Sequence, residues 1–296
     1  MPVYYIQQLI NALSLGGLYA LLALGMGIVI GIIGLINFAF GEMIAIGGYT
    51  VFFMLGLDAP WIAIVPVSIM TATLGSLALE RVAFRPLRRA DPIVLLLSSF
   101  AVSTLLQNTF LMVVSPRPQG VPTPDWVSQV LQIGAFSVPV VRIMTLVVTA
   151  VCLLAFSQFL NRTDLGIAMR AAAQDFEAVR LMGIRADTVI AIAFAISGAL
   201  AGTVALLDVS RNGVVQPTMG FGLLLKAFVA AVIGGLNNPR GLVLGGFLLA
   251  FIEVGLQAVL PSGALVFKDA IVFGAVVLIV LIKPEGLWAR KTGALA

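Results

Sequence analysis

The chain of 296 residues contains no histidine, one cysteine and only 10% charged side chains. Without histidine there can be no Ser-His-Asp or Cys-His nucleophile, no HExxH zinc site and no histidine-ligated haem. The single cysteine, Cys152, lies in an apolar run. It has no partner for an internal disulfide and reads as a small buried hydrophobe. No GxxxxGK[ST] stretch occurs, so the chain has no P-loop with which to hold ATP. Charge is also missing locally, because the first charged side chain is Glu42. Soluble domains carry about 25% charged and about 45–50% apolar residues. This chain is 60% hydrophobic with a mean hydropathy of +1.11, and it lacks the polar side chains to coat a soluble globule of its size.

What is present is a series of long apolar runs. They predict an all-α, polytopic inner-membrane helical bundle of about 8–10 transmembrane helices. The runs fall near 6–33, 37–57, 61–79, 93–113, 141–159, 188–207, 221–236, 241–259 and 267–283. The first is rich in glycine and is expected to be tilted or broken. The N-terminus has neither a basic n-region nor a small-residue cleavage site, so the first helix is expected to be retained. All of residues 1–296 read as one transmembrane domain.

Basic residues set the orientation. With segments 80–92 and 160–187 in the cytoplasm, twelve Lys and Arg lie inside, four (Arg117, Arg142, Arg211 and Lys268) outside, and Lys226 within the membrane. This is the positive-inside bias of a multi-pass protein rather than a nucleic-acid footprint. It puts the N-terminus outside and the C-terminus inside. The main external loop is then 114–140, where five prolines forbid a long helix.

One pattern recurs at an offset of 200. Ile33-Gly34-x-x-Asn37-x-x-x-Gly41 returns as Ile233-Gly234-x-x-Asn237-x-x-x-Gly241. It is a candidate internal repeat of the kind that places broken helices at matching positions in transporters. The alternative is coincidence among thirty glycines.

Segment 160–187 holds eight charged residues in 28. Asp175 suits an N-cap, Glu177 a first turn and Gly183 a C′ stop, which predicts a helix of about two turns. The i, i+3 spacing sets Phe176, Val179 and Met182 on one face, with Arg180 off it. So short a helix needs something to dock against. A cleft on a soluble cytoplasmic partner and the membrane surface are both open to it.

Two further groups stand out. Asn37, Phe38, Phe40, Gly41, Glu42, Gly47 and Gly48 form a glycine-weakened stretch with a carboxylate at or within the membrane boundary. They are candidates for the substrate pathway or a gate, the plainer reading being a helix cap in the headgroup layer. Lys226 and Glu253 fall at similar depth on adjacent helices and are a candidate intramembrane ion pair, because a buried charge needs a partner. Small residues at Gly198, Ala201, Gly202, Gly245 and Gly246 are expected at helix–helix contacts.

Several of these stretches together resemble LivH-type permeases of the branched-chain amino acid ABC importer family. The similarity is carried by Gly166-x-x-Met169-Arg170-Ala171-x-Ala173-Gln174-Asp175-x-x-Ala178-x-x-Leu181-Met182-Gly183-Ile184, by Leu15-Gly16-Gly17-Leu18-Tyr19-Ala20, by Ile36-Asn37-Phe38-Ala39-Phe40-Gly41-Glu42, and by Glu80-Arg81-x-x-x-Arg85-Pro86-Leu87-Arg88. The chain departs from the family at Phe40, where members often have histidine.

The resemblance implies a permease subunit that translocates branched-chain or related amino acids without altering them. A second permease subunit, a paralogue or another copy, pairs with it in the bilayer. Two cytoplasmic ATPases, which hold the ATP and magnesium, push on 175–183, and a periplasmic or external binding protein delivers the cargo. This chain itself then needs no cofactor, metal or nucleic acid. Helices around 37–57 and 221–259 are expected to line the pathway at a subunit interface. Urea and short amides are alternative cargoes. A stand-alone secondary transporter is the competing class, with Glu42, Lys226 and Glu253 as its only candidate ion ligands.

Overall fold

The structure, a computed structural model, describes residues 2–88, 90–133, 136–174, 179, 182, 185–236, 238–283 and 286–288. Its helices are α1 (Pro2–Ile33), α2 (Phe40–Gly56), α3 (Trp61–Leu79), α4 (Pro92–Val113), the short α5 (Asp125–Ser128), α6 (Val140–Arg162), α7 (Asp164–Ala172), α8 (Ala186–Asn212), α9 (Met219–Gly234), α10 (Pro239–Val259) and α11 (Lys268–Ile282). A π-helical turn, Glu80–Phe84, extends α3, and a 3₁₀ turn, Ser262–Phe267, leads into α11. Seven of the described helices are long and apolar enough to cross a membrane, and two shorter apolar ones, α2 and α9, pack among them. The nine apolar runs thus appear as nine helices.

Loop 114–140 contains no long helix. It holds α5, strand β1 (Gln119–Gly120), and strands β2 (Val130–Ile133) and β3 (Phe136–Pro139), which pair antiparallel; β1 pairs with β4 (Val214–Val215) after α8. This hairpin end of the bundle also takes the start of α1, where Gln7 Nε2 donates to the Ser137 carbonyl at 3.0 Å. At the opposite, arginine end, Arg85 and Asp187 meet at 3.0 Å.

Helix boundaries follow local chemistry. Asp91 and Asn238 cap α4 and α10 by accepting from the backbone N–H of Ile93 (2.9 Å) and Arg240 (3.2 Å), each with proline at the first helical position. Gly34 ends α1 and Gly213 ends α8, both at positive φ. The recurring motif marks two corners, α1–α2 and α9–α10, each with a positive-φ glycine, Gly34 and Gly235; Asn237 lies outside the described residues.

Two expectations change. Of the tilted or broken first helix expected, the break is absent. α1 runs unbroken through its glycines, four of which are contact points: Gly16 meets Phe247, Gly17 meets Thr149, Gly25 meets Phe40 and Gly27 meets Leu242. The close packing offsets their weak helix propensity. α2 begins at Phe40 rather than 37, because Asn37 Oδ1 accepts from the Ala39 N–H at 3.0 Å and holds a turn there.

α1 and α8 form the buried centre, whereas α4, α6 and α11 turn most of their surface outward. Gly198 and Gly202 seat α8 on α3, where their missing Cβ atoms would strike Ser76, Ala72 and Ile69. Gly245 lies against Ala230 and Gly234 of α9, and Gly246 against Tyr19 and Ala20 of α1. At these points the backbones touch, as small residues in a membrane bundle permit.

Candidate functional site

The stretch from Asn37 to Tyr49 is a packed seam between helices. Asn37, Phe40, Gly41, Glu42, Gly47 and Gly48 are all buried within the chain, and Phe38 is half-buried. The Phe38 N–H donates to Ser99 Oγ at 3.2 Å, and its ring meets Phe100 edge-on at 5.9 Å. The Phe40 ring lies against Gly25 of α1, a point that Leu200 of α8 also approaches. Its role there is apolar packing. Gly47 lies against Ala205 and Gly202 and accepts from Ser68 Oγ at 3.0 Å, and Gly48 lies against Met219.

Glu42 is fully buried in the first turn of α2. Its Oε1 accepts from Ser103 Oγ (3.0 Å) and Gln107 Nε2 (2.8 Å) near the middle of α4. Ser103 is about 16 Å along the helix from Pro92, counting 1.5 Å per residue. The carboxylate therefore lies well inside the bundle, while still standing in the first turn of α2. It sits where the starts of α2 and α9 meet: the backbone of Gly41 abuts that of Gly220. A carboxylate offsets the positive ends of the two helices there.

A methyl at either glycine would run into the facing carbonyl. Gly41→Ala and Gly220→Ala should each therefore cost about 1–3 kcal/mol of stability, as overpacking does. The thermal midpoint of the purified protein reads this directly; unchanged melting in both variants would show that the α2–α9 contact gives way freely.

The structure brings Lys226 and Glu253 together and adds two partners that the sequence reading missed. Lys226 Nζ lies 2.9 and 3.1 Å from the Glu253 oxygens, and Lys268 Nζ lies 2.7 Å from Oε1. Tyr19 OH donates to Glu253 Oε2 at 2.6 Å and accepts from Lys226 at 2.7 Å. This cluster forms one wall of a polar cavity of about 490 Å³ at the hairpin end, which Arg142, Asp208 and Arg211 also line. Charge compensation at Lys226 was readable from its depth. Lys268, Arg142 and Arg211, by contrast, stood near helix ends and read only as orientation markers.

At the arginine end, Arg88 pairs with both Glu80 and Asp187, and Arg85 joins Asp187. Of the short helix expected at 175–183, Asp175, Phe176, Glu177, Arg180 and Gly183 lie outside the described residues. Of the other two, Val179 is 2% exposed and Met182 is 68% exposed. Met182 lies in a turn. Among the described residues no group of three or more Cys, Asp or Glu is placed to hold a metal ion.

Comparison with known proteins supplies the setting for this geometry. Residues 8–282 match the family model described as branched-chain amino acid transport system / permease component. The chain is 36% identical to the high-affinity branched-chain amino acid transport system permease protein BraD of Pseudomonas aeruginosa, over 97% of this chain and 96% of that one. It is 34% identical to the LivH permease of the corresponding system of Escherichia coli K12, with the same coverage. A ribose import permease of Haemophilus influenzae, RbsC, is 26% identical over 84% of this chain and 76% of its own.

Proposed function

The chain belongs to the branched-chain amino acid transport permease family, and we propose that it moves branched-chain amino acids across the bacterial inner membrane as one of two permease subunits. The observation that carries this reading is kinship along almost the whole chain to permeases of branched-chain amino acid systems. The chain has no nucleotide loop of its own, so the energy comes from two ATPase subunits. A binding protein supplies cargo on the opposite face. The basic, arginine end faces the cytoplasm and the hairpin end faces outward, in line with the positive-inside bias.

ATP-driven closure of the ATPases would press on 175–183. Asp187 at the start of α8 stands just beyond that segment, and its pairs with Arg85 and Arg88 tie it to the α3–α4 connection. α3 and α8 pack without a gap at Gly198 and Gly202, so a push at one is felt by both.

Reconstitution in proteoliposomes tests the reading. Leucine, isoleucine or valine uptake should require the ATPases, the binding protein and ATP. Uptake by this chain alone would overturn it in favour of a secondary transporter, and uptake restricted to urea or short amides would overturn the cargo. Phe176→Ala and Arg180→Ala should lower uptake about tenfold while ATP hydrolysis continues, as the loss of interface anchors does. Normal coupling in both variants would count against the docking role.

A further inference from the structure

The cavity at the hairpin end is unevenly satisfied. Glu253 is saturated by Lys226, Lys268 and Tyr19. Arg142 at the start of α6 and Arg211 in the last turn of α8 face the same space. Among the described residues neither has a carboxylate within 4.0 Å. Arg211 lies close enough to both Arg142 and Asp208 for their charges to interact. Asp208 is 9% exposed and accepts one side-chain hydrogen bond, from Asn212 Nδ2 at 3.0 Å. On α1, Asn11 Oδ1 is buried with no hydrogen-bond partner.

Among the described residues the walls therefore leave two guanidiniums without a directly paired carboxylate, and a carboxylate and an amide oxygen short of donors. Asp208 and the Asn11 oxygen are buried and costly unless something supplies the missing bonds, whereas Arg142 is half-buried and Arg211 exposed, so the two guanidiniums are open to a ligand that enters the cavity. A simple anion would satisfy only the arginines, and a simple cation only Asp208 and Asn11. A ligand bearing both charges close together satisfies all four. Guanidinium pairs suit a carboxylate in particular, through paired charge-assisted hydrogen bonds. Leu15, Leu18, Leu223 and Val254 supply an apolar side to the same cavity.

We propose that this cavity, lined by one protomer and open to solvent, binds a zwitterionic α-amino acid with an aliphatic side chain. The carboxylate lies on Arg142 and Arg211 and the ammonium lies towards Asp208 and Asn11. The proposal rests on the transport reading above and gives it a docking point on the outer face, where cargo first meets the permease.

The test uses the assembled permease–ATPase complex without its binding protein. Gln257, an exposed residue lining the cavity, is changed to cysteine in a Cys152→Ser background. Alkylation of this chain by a charged, impermeant maleimide is followed by intact mass. Leucine should slow alkylation, whereas leucinol, which lacks the carboxylate, and 4-methylpentanoate, which lacks the ammonium, should not. Arg142→Gln and Arg211→Gln should each raise the leucine concentration for half-protection about tenfold or more, the loss expected for a charge-assisted hydrogen bond. Protection needs no arginine variant to fold, so it stands as a test by itself. Absence of protection by leucine, equal protection by leucinol, or unchanged protection in both arginine variants would each overturn the site. A wild-type system that takes up leucine with ATP but shows no protection overturns the site alone. A fully assembled system that takes up no branched-chain amino acid overturns the transport reading itself.

Discussion

Glu253→Leu is expected to remove most correctly assembled protein from the membrane, and Lys226→Met to remove far less. The carboxylate is the hub of its cluster: two lysines and a tyrosine hydroxyl converge on it, and its side chain is 6% exposed. Removing it leaves two ammonium groups, 25% and 22% exposed, facing each other without an anion. Breaking a buried pair from one side costs about 3–5 kcal/mol, because the remaining charge stays desolvated. Removing Lys226 instead leaves Glu253 held by Lys268 at 2.7 Å and Tyr19 at 2.6 Å. The loss is then one charge-assisted hydrogen-bonding partner, about 1.5–3 kcal/mol.

Compensation sharpens the point. Lys226→Met with Glu253→Gln still leaves Lys268 opposite a neutral amide, so this double variant recovers only in part. Adding Lys268→Met should recover most of the stability. Thermal midpoints from size-exclusion chromatography of the heated, detergent-solubilised protein order the four variants. If Glu253→Leu melts with the wild type, or the triple variant melts no higher than the double, the cluster does not hold α1, α9, α10 and α11 together.

The contrast between Lys226 and its missed partners shows what this sequence discloses. A lysine in an apolar run must be neutralised, and Glu253 stood at the same depth on the next helix, so that pairing was legible. Tyr19 lies 207 residues from Lys226, and only the packing of α1 against α10 brings it near. The same divide runs through the fold. Hydropathy marks nine apolar helices because each must satisfy its own backbone in lipid. The start of α2 was misplaced because the 34–39 connection turns back into the bundle, held by the Phe38 N–H on Ser99 of α4. The depth of Glu42 follows from that tertiary contact and not from its position in the chain. The charge pattern of 160–187 was legible, but the burial of Val179 and the exposure of Met182 were not. The stretch Glu80–Arg88 resembled a family signature while its physical purpose stayed hidden, since Asp187 lies 99 residues beyond Arg88.

That purpose leads to the second large effect. Glu80 opens the π-helical turn after α3, and its side chain is only 4% exposed. Its one ion-pair partner among the described residues is Arg88, which also reaches Asp187. Arg88→Met strands the Glu80 carboxylate and should cost about 3–5 kcal/mol. Asp187 is different, being 58% exposed, so Asp187→Asn should cost less than about 1 kcal/mol, as solvent-exposed pairs do. The two residues separate stability from transmission. If the arginines link the start of α8 to the α3–α4 connection, Asp187→Asn lowers ATP-driven uptake while the protein still melts near the wild type. Glu80→Gln with Arg88→Met should restore the melting temperature, because the stranded charge is gone, yet uptake should stay low, because Asp187 has lost one of its two arginines. Side-by-side thermal midpoints and proteoliposome uptake decide the matter. Full uptake in the stabilised double variant would reduce the cluster to a stability device. Failure to regain stability would mean that Arg88 acts through contacts other than Glu80. Ser76 Oγ donates to the Phe194 carbonyl at 2.7 Å one helical turn before the cluster, so α3 and α8 remain joined in both variants. Any transport defect would therefore come from the ionic tie at the arginine end rather than from separation of the two helices.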